Sequence, residues 1–234
     1  MKKLTIIGAS GHGKVVADIA SLNGYEEIEF LDDDRSISLC GLYPVVGTCM
    51  KASEIENDIF IAIGNANHRK KLFRMNRDKY LPILVHPDAV VAKDAKIGAG
   101  TVIMAGAVLN PGIKTGEGCI INTCASVDHD SSIGNYVHVA VGAHLCGTVT
   151  VGDETWIGAG SIVSNNVSIC GGCTIGAGAV VIKDIKEKGT HIGVPARMMN
   201  ELQKLRGGVS CWIALYTRSS LYTDNSIQRH RRTA

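Results

Sequence analysis

Residues 91–126 read VAKDAK IGAGTV IMAGAV LNPGIK TGEGCI INTCAS when cut every six residues, and the cut runs on without a gap to Lys186. Sixteen hexads result; the first position is aliphatic in 15 of them, with Thr115 the exception. The fifth position is Ala, Ser, Thr, Cys, Val or Ile throughout. A fixed short period is the mark of a solenoid, in which each unit buries its apolar side only against its neighbours. Each hexad then supplies one short flat strand. Its first residue points into a narrow triangular core, its fifth packs small beside it, and Gly or Asn turns the corner at positive φ. Three hexads close a coil, so the 16 hexads build a little over five coils of parallel β-helix. Residues 18 apart stack on adjacent coils, about 4.8 Å from one another.

Composition agrees with that reading. Of 234 residues 45% are hydrophobic but only 5% aromatic, and 27 are Gly, so the core is built from Val, Ile and Ala. The net charge of +2 is concentrated at the end: residues 207–234 carry Arg218, Arg229, Arg231 and Arg232 against Asp224, leaving −1 for the rest. A near-neutral body of this kind is not the footprint of a nucleic-acid binder. No apolar run is long enough to span a membrane, and the start, KKLTIIGASGHG, is not a signal peptide. The eight Cys have irregular spacing, which reads as reduced thiols of a cytoplasmic protein. Cys170 and Cys173 have metal-ligand spacing, yet they occupy the second and fifth positions of a hexad, where small residues are required anyway; no metal is expected.

Ahead of the hexads the pattern changes. An apolar strand, Leu4–Ile7, runs into the loop GASGHG. A helix follows with Val15, Val16, Ile19 and Ala20 on one face, and then a second strand that ends in acids. This is a βαβ unit whose glycine turn and helix N-terminus can receive an anion. Its spacing, Gly8-x-x-Gly11-x-Gly13, is not the dinucleotide fingerprint GxGxxG. A second strand–loop–helix, IFIAIGNANHRKKLFRMN, places Gly64 at a strand end, and Asp32 and Asp33 close the strand between. All three lie where open α/β sheets bind ligands. Asp32 and Asp33 are placed to meet a ribose or base edge, or simply to solvate a turn. The expected organisation is an α/β sugar-nucleotide-binding domain at 1–85, a β-helix at 86–190, a loop and short helix at 191–206, and a tail at 207–234 with no assigned role. Pro87 marks the first boundary.

GASGHG and LDD, then VHPDAVV, then hexads containing NTCASVDHD and VHVAVGAHLCG, and finally GVPAR, resemble the sialic acid O-acetyltransferase-like sugar acyltransferases over about residues 3–206. That branch includes N-acetyltransferases of nucleotide-linked 4-amino-4,6-dideoxy sugars such as those of the bacillosamine pathway. The resemblance implies a left-handed β-helix, a homotrimer, acetyl-CoA as acyl donor and a role in bacterial surface-glycan or glycoprotein synthesis. It implies His129 as general base with Asp130 orienting it, Asp128 being the alternative partner, and Asn122 near the reacting centre. On the donor side it implies His138, the Gly147 amide, Ala159, Pro195 and Arg197. On the sugar-nucleotide side it implies Gly11, His12, Gly13, Asp32, Asp33 and Gly64. Two other readings stand beside it: O-acetylation of a sialic acid or another sugar hydroxyl, and a non-catalytic sugar-nucleotide-binding scaffold.

The repeat supplies a check of its own. Adding 18 to 129 gives 147, so Gly147 stacks on the proposed base one coil away. His144, like His138 at the sixth position of its hexad, reads as a surface residue at a subunit contact. The His-x4-His pair of zinc-binding hexapeptide prisms is missing from this chain, where the spacings of the three clustered histidines are 9 and 6.

Overall fold

The structure, a computed structural model, describes residues 1–199. The short helix expected within 191–206 falls largely outside the described residues, and the tail at 207–234 wholly so.

The front of the chain forms five strands and two helices: β1 (Lys3–Ile7), α1 (Gly11–Leu22), β2 (Glu27–Leu31), β3 (Leu39–Cys40), β4 (Tyr43–Gly47), β5 (Asp58–Ile61) and α2 (Ala66–Met75). The sheet order is β3-β4-β2-β1-β5, parallel except for the β3–β4 pair. Alternation sorts its two faces. Leu4, Ile6, Phe30 and Phe60 meet α1 on one side, while Ile7, Leu31, Ile59 and Ile61 meet Phe73 of α2 on the other. Helix α1 buries Val16, Ala17, Ile19 and Ala20, and Val15 is 42% exposed. The expected apolar face was therefore off by one position; the 3.6-residue period puts Ala17 beside Val16 and Ala20, and turns Val15 away.

From Leu84 onward the chain is a parallel β-helix of the left-handed type. One face is a ladder of strands beginning at Leu84, Val102, Ile120, His138, Trp156, Thr174 and Thr190. A second face begins its strands at Val90, Val108, Ser126, His144, Ile162 and Val180, and a third at Lys114, Ser132, Thr150 and Ser168. The ladder thus starts one hexad ahead of Val91, and the strand Leu84–Val85 precedes Pro87. At the far end the expected loop opens as a hairpin, Thr190–Ile192 against Arg197–Met198, turned at Gly193 (φ 96°).

Inside the prism the hexad rule holds residue by residue. First-position Ile103, Leu109, Ile121, Val139 and Ile157 are fully buried, and so are fifth-position Ala107, Cys119 and Ala143. Fifth-position hydroxyls are satisfied locally: Ser131 Oγ accepts from the Val149 amide (3.0 Å) and Ser161 Oγ donates to the Gly158 carbonyl (2.7 Å). Thr115, the exception in the first position, accepts from the Gly98 amide (3.2 Å).

The fourth position is where the expectation needs correcting. From residue 100 to residue 178 every fourth-position residue has positive φ, but six of them are neither Gly nor, with one exception, Asn: Cys124, Asp130, Tyr136, Thr148, Glu154 and Asn166. Each such corner costs roughly 1–2 kcal/mol, so a second role is expected at these sites. Tyr136 and Glu154 have one. The Tyr136 ring meets Phe73 edge-on at 5.5 Å between centroids, and Glu154 pairs with Lys70.

Those contacts dock the α/β unit onto the prism. Leu84, Val102 and Ile120 of the first prism face share one core with Leu4, Val16 and Phe30. The Asn23 side chain extends the ladder, donating to the Val85 carbonyl (2.7 Å) and accepting from the Val85 amide (3.1 Å). Among the described residues no helix is long and apolar enough to cross a membrane.

Candidate active site

Two clusters of functional side chains emerge, and they lie on different sides of the prism. His129 belongs to the first. It sits at a corner between the second and third faces, with its side chain 54% exposed. Its Nδ1 lies 3.0 Å from Asp130 Oδ2, which accepts the ring proton and leaves Nε2 outward. Asp128 does something else: its Oδ1 accepts from the His129 amide (2.7 Å) and from Asn110 Nδ2 (2.7 Å). Asp130 is therefore the imidazole's partner and Asp128 the brace of its backbone. The hydrogen bond to Asp130, followed by the charge of Asp128, raises the His129 pKa above its ordinary value.

Gly147 lies directly against that ring. A Cβ there would stand 2.6 Å from His129 Cε1 and Nε2, so any larger residue would displace the imidazole. Third-position amides point out of the prism wall. Those of Glu117 and Asn135 are taken by Asn135 Oδ1 (3.0 Å) and Asp153 Oδ1 (2.8 Å) of the next coil. Gly147 stands at the same position one coil along from His129 and carries no side chain, so the His129 amide is met by Asp128 Oδ1 instead.

The second cluster lies on the first face, where the α/β unit covers it. His138 is 8% exposed and its ring rests against Trp156, 4.3 Å between centroids. Asn122 Oδ1 accepts from the Thr123 amide (2.8 Å), which turns Asn122 Nδ2 toward His138 Nε2 at 3.1 Å. Nε2 then accepts, the ring proton resides on Nδ1, and that buried N–H has no partner among the described residues. His12, in the first turn of α1, likewise has a buried Nε2 without a partner. Burial first, and the Arg69 guanidinium second, lower the His12 pKa to about 4 and that of His138 to about 3, so both rings are neutral at physiological pH. An unpaired buried polar atom costs about 1–3 kcal/mol, and two of them facing one region mark a place for a ligand.

The glycine turn has an internal frame. Asp32 Oδ2 accepts from the Ala9 amide (2.7 Å) and Asp33 Oδ1 from the Cys49 amide (2.9 Å), so both carboxylates hold loops in place. A Cβ on Gly13 would fall 2.2 Å from the Gly8 carbonyl oxygen, whereas Gly11 and Gly64 have nothing within 4 Å. Gly13 is thus a packing requirement, and Gly11 and Gly64 leave open space. Asn65, next to Gly64, caps α2 by accepting from the His68 amide (3.0 Å).

Of the remaining expected donor-side residues, Ala159 is exposed on the prism and Pro195 and Arg197 are exposed in the terminal hairpin; among the described residues none is hydrogen-bonded to His129 or His138. His144 is exposed, its Nδ1 2.8 Å from Ser126 Oγ. Among the described residues no group of three or more His, Cys, Asp or Glu is placed to hold a metal.

Topology decides which of these residues can meet. Each corner of the prism joins two faces, and the His129 corner joins the two that the α/β unit leaves uncovered. Within one chain, then, His129 and Gly147 lie on a different corner from Asn122, which follows the first-face strand Ile120–Ile121, and from His138, which begins the next strand of that face. Sequence reading also passed over Arg69, which is 1% exposed and touches both the α/β unit and the prism. Its signal was a lone Arg on the inward side of an otherwise basic helix.

Comparison with known proteins adds the following. Residues 3–76 match the family model described as PglD N-terminal domain. Over 114 residues the chain is 35% identical to the UDP-N-acetylbacillosamine N-acetyltransferase of Bacillus subtilis (strain 168), a match covering 45% of this chain and 52%, about half, of that relative. Among solved structures, the acetyltransferase domain of PglB from Neisseria gonorrhoeae FA1090, in complex with acetyl coenzyme A, is 41% identical with a TM-score of 0.82, covering 85% of this chain and 99% of that one. PerB from Caulobacter crescentus, in complex with CoA and GDP-perosamine, is 35% identical with a TM-score of 0.79, covering 84% and 97%.

Proposed function

The chain belongs to the hexapeptide-repeat sugar acetyltransferase family of these relatives, and from that premise we propose that it moves an acetyl group from acetyl-CoA to the amine of a nucleotide-linked 4-amino-4,6-dideoxy sugar. The observation that carries the reading is the His129–Asp130 pair stacked against Gly147. A protonated sugar amine cannot attack a thioester. The neutral amine attacks the acetyl carbon directly, without an acyl-enzyme, while His129 Nε2, kept basic by Asp130 at Nδ1, accepts its proton; the C–S bond then breaks, and the CoA thiolate takes up that proton and leaves as the thiol. The Gly147 amide is suited to the charge that develops on the acyl oxygen, an effect worth about 10²–10³-fold.

The second cluster supplies binding. A neutral His138, presenting Nδ1–H, suits the carbonyl of an acyl donor, and Asn122 keeps it in that tautomer. His12 and the open turns at Gly11 and Gly64, framed by Asp32 and Asp33, suit the sugar nucleotide. Because the two clusters lie on different corners of one prism, we infer that the complete site forms between copies, with His129 and Gly147 from one protomer and the α/β unit and His138 from its partner. A closed ring of three copies, acting in the cytoplasm where acetyl-CoA is made, satisfies that requirement.

The test is thiol release from acetyl-CoA with UDP- and dTDP-linked 4-amino-4,6-dideoxy sugars beside free and CMP-activated sialic acid. Turnover on an amino sugar, reduced about 10²–10⁴-fold in His129→Ala, is the expected result. Turnover on sialic acid alone would move the function to O-acetylation, and nucleotide binding without any turnover would leave a binding scaffold.

A further inference from the structure

Arg69 is buried and, among the described residues, meets no carboxylate. Its guanidinium donates to four backbone carbonyls: Nε to Gly118 (2.7 Å), Nη2 to Tyr136 (2.6 Å), and Nη1 to Ile63 (2.7 Å) and Gly64 (2.8 Å). The first two acceptors are 18 residues apart, so they are the same corner on successive coils, and both have positive φ (59° and 57°). The other two belong to the turn between β5 and α2. One planar fork therefore ties two coils of the prism to the turn that contains Gly64. Hydrophobic docking of α2 through Phe73 and Tyr136 has no need of a buried cation, and burying one is costly unless its hydrogen bonds are met. A Lys could not satisfy this geometry, because its three donors spring from one nitrogen.

The placement of the acceptors gives the cost a purpose. Tyr136 lies two residues before His138, on the corner that feeds its strand, and Gly64 borders the open turn of the α/β unit. We propose that Arg69 is a positioning residue, which sets the distance and angle between the half of the site that holds the sugar nucleotide and the half that presents His138 to the acyl donor. The proposal rests on the acetyltransferase reading. Its chemical content is that each half keeps its own affinity without Arg69, while their alignment is lost; a misplacement of about 1 Å costs on the order of 10²-fold in rate.

The experiment compares Arg69→Met, Arg69→Lys and Lys70→Ala in the full chain. Lys70 joins α2 to the prism through Glu154 but touches neither cluster. Calorimetry gives the affinity for acetyl-CoA and for the sugar nucleotide separately, and steady-state kinetics gives kcat. The proposal expects both Arg69 variants to fold, to bind each ligand within about threefold of the native protein, and to lose on the order of 10²-fold in kcat, with Lys70→Ala unchanged in kcat. An equal loss in all three variants, an unchanged kcat with only a lowered Tm, or loss of binding of either ligand would overturn it. So would failure of both Arg69 variants to fold, which would make Arg69 a residue of the core alone. If the native protein binds both ligands but transfers nothing, the reading of function fails on its own. In that case the mutual effect of the two ligands on each other's affinity, present in the native protein and absent in Arg69→Met, decides the positioning role; equal coupling in both would refute it.

Discussion

His129 illustrates how one side chain acquires a task from its neighbours. An exposed imidazole titrates near neutrality by itself. Asp130 at Nδ1 and Asp128 behind the backbone push its pKa up, because both favour the charged ring. In the proposed role His129 must be unprotonated, so activity should fall as pH drops through that raised value. Asp130→Asn removes the largest cause and should move the acid limb of the kcat/KM profile to lower pH. It should also lower the plateau by about tenfold or more, since a weaker base accepts the proton less readily. An unmoved limb would mean that Asp130 does not govern the titration, and a limb moved upward would assign the profile to another group. That Gly147 lies under the ring was legible beforehand from a subtraction, since a solenoid with no inserted residues converts sequence separation directly into stacking.

At the scale of the element, the hexad is a rule about size and handedness of the backbone. Positions one and five follow it closely because the triangular interior has no room for anything else. Position four follows it only in φ. Six residues with side chains tolerate the left-handed region, and among them Thr148, β-branched and exposed, is the least suited to it. It stacks on Asp130, one coil below. Its amide donates to the His129 carbonyl (2.8 Å), a bond that any residue can make. Thr148→Gly should therefore stabilise the protein by about 1 kcal/mol, relief of the left-handed penalty offset by the greater freedom of Gly when unfolded. Chemical denaturation measures this. A destabilised variant would show that the Thr148 side chain makes a contact worth more than the strain it carries.

For the whole molecule, topology puts the two proposed parts of the site on different corners of one chain. His129 and Gly147 stand on the uncovered corner, while His12 belongs to the α/β unit and His138 lies on the face that this unit covers. If the site forms between copies, His129→Ala and His138→Ala are defective in different halves. Co-refolding the two inactive variants in equal amounts should then restore activity, because mixed assemblies contain interfaces with both halves intact. For a ring of three with random mixing, about a quarter of the interfaces carry no defect, and activity should return to that order from a background lowered about 10²–10⁴-fold. No recovery, with mixed assemblies shown to form, would require both histidines from one protomer.

Much of this was open to inspection in the sequence. The period of six specified the prism, the residues that fill it and the stacking of residue 147 on 129, because a solenoid is quasi-one-dimensional and each position meets only its neighbours along the chain. The βαβ pattern specified the front sheet for a similar reason, since local periodicity reports which side of each element is buried. What only the tertiary structure decided was the docking of one unit on the other: the face of the prism that is covered, the burial of His138 and of His12 Nε2, the use of Arg69 as a fork between two corner carbonyls and a distant turn, and the placing of His129 on another corner. Those relations join residues many coils or a whole domain apart, and they depend on shape and on backbone carbonyls, which carry no side-chain signature to read.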